Sequence, residues 1–331
     1  MNIAINGFGR IGRATFKALL NKKSKSLNIV AVNDLTDTAT LAHLLKYDTC
    51  YGIYDKQVGF TKDSLIVDGK KYRVTAEKDP SKLPWRELAV DVVIESTGRF
   101  LDKAGAGGHL IAGAKKVILS APAKTDDIKT IVLGVNENKL KASDKIISMA
   151  SCTTNCLAPV TEVIRKNFGI KKAIMTTIHS YTADQNLVDG PHKDLRRARA
   201  AAMNIVPTTT GAAKAVTKTI PALVNKFDGL AIRVPTPVVS LCDTVYVTKK
   251  KVDEKKINAV LKKAAASGAL RGILSVTDEP LVSSDFIGNS ASATVDLSLT
   301  KVVDGDLVKI ISWYDNEWGY SSRLADLVIK L

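Results

Sequence analysis

The chain has 331 residues, 45% of them hydrophobic, with 48 Lys and Arg against 33 Asp and Glu and a net charge of +15. That length exceeds what one hydrophobic core usually serves, so two domains are expected. No run of about 18 apolar residues could span a membrane, and four cysteines are too few for a disulfide framework, which points to a reduced, cytoplasmic setting.

The opening Met1-Asn2-Ile3-Ala4-Ile5 enters a strand pattern at once and has none of the parts of a signal peptide. The basic surplus suits a polyanion binder, and equally an enzyme that handles phosphorylated anions. The lysines are mostly scattered, with small clusters at Lys22–Lys25 and Lys249–Lys256, and no nucleic-acid recognition motif accompanies them, so no dedicated nucleic-acid site is expected. No Cys/His grouping has zinc-site spacing, and no metal is expected.

In chain order, a strand over Asn2 to Ile5 runs into Asn6-Gly7-Phe8-Gly9-Arg10-Ile11-Gly12. A helical pattern covers Ile11 to Leu20, and a second strand over Asn28 to Val32 ends at Asn33-Asp34. The G-x-G-x-x-G lies between strand and helix, and Asp34 follows the last glycine by 22 residues. Together these match the dinucleotide fingerprint: glycines for a tight turn and a close pyrophosphate, the helix N-terminus for its charge, the acid for the ribose hydroxyls.

Asp37 to Tyr47 reads as a helix, and Phe60 to Thr75 as an antiparallel hairpin turning at Asp68-Gly69. Asp91 to Glu95 is a buried strand followed by Ser96-Thr97-Gly98-Arg99, and Lys115 to Leu119 another, followed by Ser120. Loops after such strand ends line the cofactor crevice of open α/β sheets, although ordinary turns have the same composition.

From Ser151 the texture changes. Lys145 to Met149 reads as a strand, and Cys152 to Phe168 as a helix stopping at Gly169. Cys152 therefore opens a helix, where unpaired N–H groups and the dipole favour a thiolate; an inert buried thiol is the other reading. A strand over Ala173 to Ile178 delivers His179, 27 residues after Cys152. One helix and one returning strand fill that gap and could bring the two together as an activated nucleophile.

A long basic loop with His192 and Arg196-Arg197 runs to Pro207, and Thr208-Thr209-Thr210-Gly211 reads as the cap of another helix. Strands are expected over Leu230 to Val234, Val238 to Val247, Ser290 to Leu299 and Leu307 to Ser312, with an amphipathic helix from Leu324 to Ile329. This half is α+β with a largely antiparallel sheet.

Six stretches carry a resemblance over essentially the whole chain: Asn6–Arg13 (N-G-F-G-R-I-G-R), Ser151–Pro159 (S-C-T-T-N-C-L-A-P), Thr176–Thr182 (T-T-I-H-S-Y-T), Thr210–Val216 (T-G-A-A-K-A-V), Arg233–Pro237 (R-V-P-T-P) and Ser312–Tyr320 (S-W-Y-D-N-E-W-G-Y). In this order they resemble the phosphorylating glyceraldehyde-3-phosphate dehydrogenases. The resemblance implies an α/β chain: a Rossmann NAD-binding domain over 1–150, a catalytic domain over 151–315, and a C-terminal helix over 316–331 that returns to the first. It also implies a homotetramer.

The resemblance further implies that the Cys152 thiolate attacks the aldehyde and that His179 takes the proton. The resulting thioester is then attacked by inorganic phosphate. The substrate phosphate would sit on Thr182 and Arg233. The attacking phosphate would sit on Ser151, Thr153, Thr210 and Gly211 with Arg197, Arg196 being the alternative to Arg197. NAD would meet Asn6, Gly7, Phe8, Gly9, Arg10, Ile11, Gly12, Asp34, Leu35, Ser96, Thr97, Gly98 and Ser120. Asn316 would bond the nicotinamide carboxamide, with Tyr320 near the ring. An erythrose-4-phosphate dehydrogenase, a non-phosphorylating aldehyde dehydrogenase and a non-catalytic dinucleotide binder acting through its basic surface stay open as alternatives.

Overall fold

The computed structural model describes every residue except Lys23, Lys25 and Ser267, so the Lys22–Lys25 cluster falls partly outside the described residues. The chain divides into two units. The first comprises Met1–Ile131, Lys139–Ala150 and Leu324–Leu331, and the second Val132–Asn138 and Ser151–Arg323.

The first unit is built on a nine-stranded sheet in the order Lys129–Thr130, Ile146–Ser148, Lys116–Leu119, Val92–Glu95, Asn2–Asn6, Asn28–Asn33, Lys70–Thr75, Ser64–Val67, Val58–Thr61. The first seven run parallel. Parallel strands are covered on both faces and so read as continuous apolar runs. Ile3, Ala4, Ile5 and Val93, Ile94 are accordingly fully buried. Strand order reverses at Asn2–Asn6, which pairs with Asn28–Asn33 on one side and Val92–Glu95 on the other. Their carboxyl ends form the switch point at which such Rossmann sheets take ligands.

The single hairpin expected over Phe60 to Thr75 is instead three strands with two tight turns, at Lys62-Asp63 and Asp68-Gly69. Thr61-Lys62-Asp63-Ser64 are four polar residues in a row with no glycine, proline or asparagine among them, so the first turn lacks the Asp-Gly signal that marks the second one. Asp63 closes it by accepting the hydroxyls of Thr61 and Ser64 at 2.8 and 3.1 Å.

The second unit carries a seven-stranded sheet in the order Val206–Thr208, Phe227–Val234, Ile170–Ser180, Ser240–Thr248, Leu307–Tyr314, Ala293–Val303, Leu274–Thr277. Two of its pairings are parallel, at Ile170–Ser180 with Phe227–Val234 and at Leu274–Thr277 with Ala293–Val303; the rest are antiparallel. The helix Cys152–Phe168 has the expected bounds. Ser151 Oγ caps it by accepting the Thr154 N–H at 3.1 Å, and Gly169 ends it at φ 70°. The helix Glu254–Ala266 and the strand Leu274–Thr277 were not foreseen.

The strand over Ala173 to Ile178 extends to Ile170–Ser180, which puts His179 inside the sheet rather than in a loop after it. The last helix begins at Trp318 rather than Leu324, because the Asp315 carboxylate accepts the N–H groups of Glu317 and Trp318 at 3.0 and 2.8 Å. Its end, from Leu324, counts with the first unit, where Lys22 pairs with Asp326 at 2.5 Å.

Candidate active site

In the first unit a cavity of about 300 Å3 opens at the switch point, lined by Asn6, Gly7, Gly9, Asp34, Leu35, Ser96 and Thr97 among others. The three fingerprint glycines have three separate reasons. A Cβ on Gly7, at φ 90°, would lie 2.7 Å from the Thr97 nitrogen. One on Gly12 would lie 2.1 Å from the Gly7 carbonyl, where helix meets strand. One on Gly9 would meet nothing within 4 Å. Gly9 is the N-cap of the helix Arg10–Asn21 and supplies no side-chain cap. An open helix N-terminus with bare backbone in front of it is the cradle a pyrophosphate needs, so these residues fit a dinucleotide.

Asp34 is held in place at the edge of this cavity. Its Oδ2 accepts the Phe8 N–H at 2.7 Å and its Oδ1 the Thr36 N–H at 3.0 Å. Phe8, Arg10, Ile11, Gly12, Gly98 and Ser120 do not line the cavity. Phe8 is buried edge-on against Phe16, and Arg10 pairs with Asp48 at 2.7 Å. Ser120 gives its backbone N–H to the Glu95 carbonyl at 3.0 Å. Phe8 and Gly12 thus shape the loop from behind. Sequence reasoning missed the wall residues Asn33, Glu77 and Lys78, and also Phe100, one position past the expected loop.

In the second unit the Cys152 Sγ lies 3.6 Å from the His179 Nε2. Strand register places the third member: His179 is paired directly with Arg233 across the parallel strands. Arg233 Nη1 lies 3.0 Å from His179 Nδ1 and donates to the Ser180 carbonyl at 2.9 Å. That carbonyl also lies 2.7 Å from His179 Nδ1. Nδ1 therefore faces a carbonyl, which only accepts, and a guanidinium, which only donates; the carbonyl is the nearer of the two, so the proton is assigned to Nδ1 and the Nε2 lone pair faces the thiol.

Opposing influences act on the pair. Burial pushes the Cys152 thiol up, while Arg233 and hydrogen bonds from Thr153 pull it down. Burial and then Arg233 lower His179 to about 3, against an opposing hydrogen bond to Ser180. Burial thus opposes charge on both members of the pair, against the helix terminus and the Arg233 guanidinium that favour a thiolate.

The other expected anion ligands are already engaged. Arg233 Nη1 donates to the Thr182 hydroxyl at 3.4 Å. Thr153 Oγ1 lies 2.9 Å from the Tyr314 hydroxyl, which also reaches Thr177 at 2.9 Å. Thr210 Oγ1 accepts the Ala212 N–H at 3.2 Å. Gly211, not a threonine, is the N-cap of Ala212–Thr219, with no side-chain cap. Arg197 is half-buried, pairs with Asp184 and donates to Thr208 Oγ1 and the Thr209 carbonyl, both at 3.0 Å. Its charge reaches both His179 and Arg233, whereas Arg196 is exposed and its guanidinium donates to the Pro207 carbonyl at 3.4 Å. Asn316 is buried, its Oδ1 accepting the hydroxyls of Ser180 and Ser240 at 3.1 and 3.0 Å, and Tyr320 is buried as well. The placement of Tyr314 and Ser240 depends on strand pairing, and that of Asp184 on a contact between two loops; none left a signal in the sequence.

Comparison with known proteins agrees with this geometry. Residues 1–103 match the family described as glyceraldehyde 3-phosphate dehydrogenase, NAD binding domain, and residues 151–316 its C-terminal domain. The chain is 56% identical over 330 residues to the glyceraldehyde-3-phosphate dehydrogenase of Streptomyces coelicolor, covering 99% of this chain and 98% of that one. It is 56% identical over 328 residues to that of Geobacillus stearothermophilus, covering 99% and 97%. To the chloroplastic glyceraldehyde-3-phosphate dehydrogenase A of Chlamydomonas reinhardtii it is 52% identical over 328 residues, covering 99% and 87%.

Proposed function

The chain belongs to the glyceraldehyde-3-phosphate dehydrogenase family, and on that premise we propose that Cys152 is its nucleophile, His179 its base, and inorganic phosphate the second substrate. Its activity is the NAD-dependent oxidation of glyceraldehyde 3-phosphate. The observation that carries the assignment is the 3.6 Å approach of Sγ to the unprotonated Nε2 at the start of a helix.

As sulfur attacks the aldehyde carbon, the thiol proton passes to His179 Nε2 and the carbonyl oxygen becomes an oxyanion. The Cys152 backbone N–H and the new imidazolium are donors for that oxygen, and protonating it gives the thiohemiacetal. Bound NAD supplies the hydride acceptor. As hydride leaves carbon, His179 takes the hydroxyl proton and a thioester remains. A phosphate oxygen then attacks, the C–S bond breaks to give 1,3-bisphosphoglycerate, and the imidazolium returns its proton to sulfur.

We assign the substrate phosphate to Arg233 and Thr182. The attacking phosphate goes to Ser151, Thr153, Thr210 and Gly211 with Arg197. Ser151 Oγ meets the Thr154 N–H and hydroxyl, Thr153 Oγ1 the Tyr314 hydroxyl and the Cys152 sulfur, and Thr210 Oγ1 the Ala212 N–H; a hydroxyl has one donor and two acceptor sites to share with an anion. Asn316 and Tyr320 are assigned to the nicotinamide end, and the two units to the NAD-binding and catalytic roles.

The tetramer assigned by resemblance is supported by the segment after His179. Leu187, Val188, Leu195, Met203 and Ile205 are exposed there, Met203 to 85%. Apolar side chains gathered so densely on one segment mark a docking surface. The cytoplasm suits a mechanism that needs Cys152 reduced, and all four cysteines are free thiols. Among the described residues no helix is long and apolar enough to cross a membrane.

A spectrophotometric assay tests the reading. NADH formation from glyceraldehyde 3-phosphate should require phosphate and be lost after iodoacetamide. Sustained turnover without phosphate would make the enzyme non-phosphorylating. A preference for erythrose 4-phosphate would reassign the substrate.

A further inference from the structure

Beneath the dinucleotide crevice lies a buried polar cluster that the reaction does not use. Glu95 ends the strand Val92–Glu95 and His109 sits on the helix Lys103–Ile111; both are 0% exposed. Glu95 Oε2 accepts from Asn6 Nδ2 at 2.6 Å and lies 3.0 Å from His109 Nε2. Glu95 Oε1 accepts the Thr97 backbone N–H at 2.8 Å and the Thr97 hydroxyl. On the far side of the imidazole, Trp85 Nε1 lies 3.0 Å from Nδ1. An indole N–H can only donate, so Nδ1 is bare and the proton is on Nε2, aimed at Glu95. Four donors therefore converge on two oxygens, an arrangement that matches a carboxylate and no other form of the side chain.

Three of those donors belong to two residues that line the crevice, Asn6 and Thr97. The bonds continue outward. Thr97 Oγ1 accepts the Arg99 N–H at 3.1 Å, and Asn6 Oδ1 accepts Asn33 Nδ2 at 2.7 Å. Asn33 Oδ1 in turn accepts the Glu77 N–H at 2.9 Å. Arg99, Asn33 and Glu77 are also wall residues. Thr97 is the backbone against which the missing Cβ of Gly7 would press at 2.7 Å. The crevice wall thus depends on one buried charge from behind.

We propose that Glu95, oriented by His109, is a positioning residue for the adenosine half of the dinucleotide: its carboxylate holds Asn6 and Thr97 in the shape that receives NAD. This rests on the NAD-binding reading of the site and assigns to Glu95 no contact with the cofactor. The carboxylate acts only through the residues whose N–H and O–H groups it collects. An amide cannot replace it, because its NH2 would face donors on whichever side it turned.

The test is the Kd of ADP-ribose, which lacks the nicotinamide, measured by calorimetry on the full chain without turnover. Glu95→Gln should weaken binding by about tenfold or more. His109→Leu should weaken it in the same direction. His109→Gln should restore it, since one amide can donate to Glu95 and accept from Trp85. The His109 pair decides the matter if Glu95→Gln fails to fold. A lowered Tm in His109→Leu with an unchanged Kd would make the cluster purely structural and overturn the proposal. Absence of ADP-ribose binding by the wild type would overturn the cofactor reading and this inference with it. Failure to oxidise the aldehyde phosphate would count against the function alone.

Discussion

Arg233 and His179 are register partners on parallel strands, with Nη1 of one 3.0 Å from Nδ1 of the other. The guanidinium therefore stands behind the imidazole, on the side away from Cys152, and its charge helps keep the imidazole neutral. On the proposed assignment, an anionic substrate phosphate on Arg233 would screen that repulsion and let His179 take a proton more readily, coupling phosphate binding to the base through one residue.

Arg233→Ala should raise the KM for glyceraldehyde 3-phosphate by about ten- to a hundredfold, the value of a charge-assisted hydrogen bond of roughly 1.5–3 kcal/mol. A non-phosphorylated aldehyde should be affected far less. With that aldehyde, the acid limb of the kcat/KM profile should move to higher pH, because His179 loses a neighbour that lowers it. Equal KM effects on both aldehydes would reduce Arg233 to a structural role.

His179→Asn should cost about 10²- to 10⁴-fold in kcat, the usual range for a general base. It should also alter acid stability. The imidazole sits at about 3 in the folded chain against an ordinary 6.5. Between those values only the unfolded chain binds the proton, so stability falls as pH drops below 6.5, by at most about 1.4 kcal/mol per unit. Above 6.5 the contribution is fully present. Thermal melts from pH 7 to 4 should show a smaller fall for the variant than for the wild type; identical slopes would contradict the buried neutral imidazole.

NAD should be preferred over NADP, on the strength of Asp34. The two loop N–H groups that bind its carboxylate fix it at the crevice edge. A 2′-phosphate near 4 Å would cost about 4 kcal/mol at an effective dielectric of 20, roughly a thousandfold. Solvent screening reduces that to about a hundredfold in kcat/KM. Leu35 offers no compensating donor; in the proposed tetramer the loop carrying Pro191 would approach the ribose from a neighbouring subunit and leave a 2′-phosphate little room. Asp34→Gly with Leu35→Thr and Pro191→Ser should relax the preference; comparable wild-type values for both cofactors would refute the argument.

Cys156 should be dispensable. It is fully buried one turn along the helix, with Sγ 3.4 Å from the Ser312 hydroxyl. Cys156→Ala should cost on the order of 1 kcal/mol in stability and leave kcat nearly unchanged, as read by denaturant melts and steady-state assay.

Much of this was legible in the sequence because it is local. The fingerprint glycines, Asp34 and the helix beginning at Cys152 are set by spacing and capping, and they stand where expected. What was not legible is set by pairing between distant strands. The adjacency of Arg233 and His179 is a register, and the Glu95–His109–Trp85 cluster joins residues that no periodicity links. The two-residue turn at Lys62-Asp63 carries no glycine, proline or asparagine to mark it, unlike the turn at Asp68-Gly69. The helix terminus and the His179 pairing at Cys152 could be read from spacing, whereas the burial that opposes a thiolate there is a tertiary quantity.

The central claim is a covalent relay through Cys152. Mixing the enzyme with glyceraldehyde 3-phosphate and NAD in the absence of phosphate, then quenching in acid and mapping peptides by mass, tests it directly. The account predicts a stoichiometric burst of NADH that stalls, a phosphoglyceroyl adduct on the Cys152 peptide, and release of both on adding phosphate. An adduct on Cys156, or continued turnover with no adduct, would contradict it.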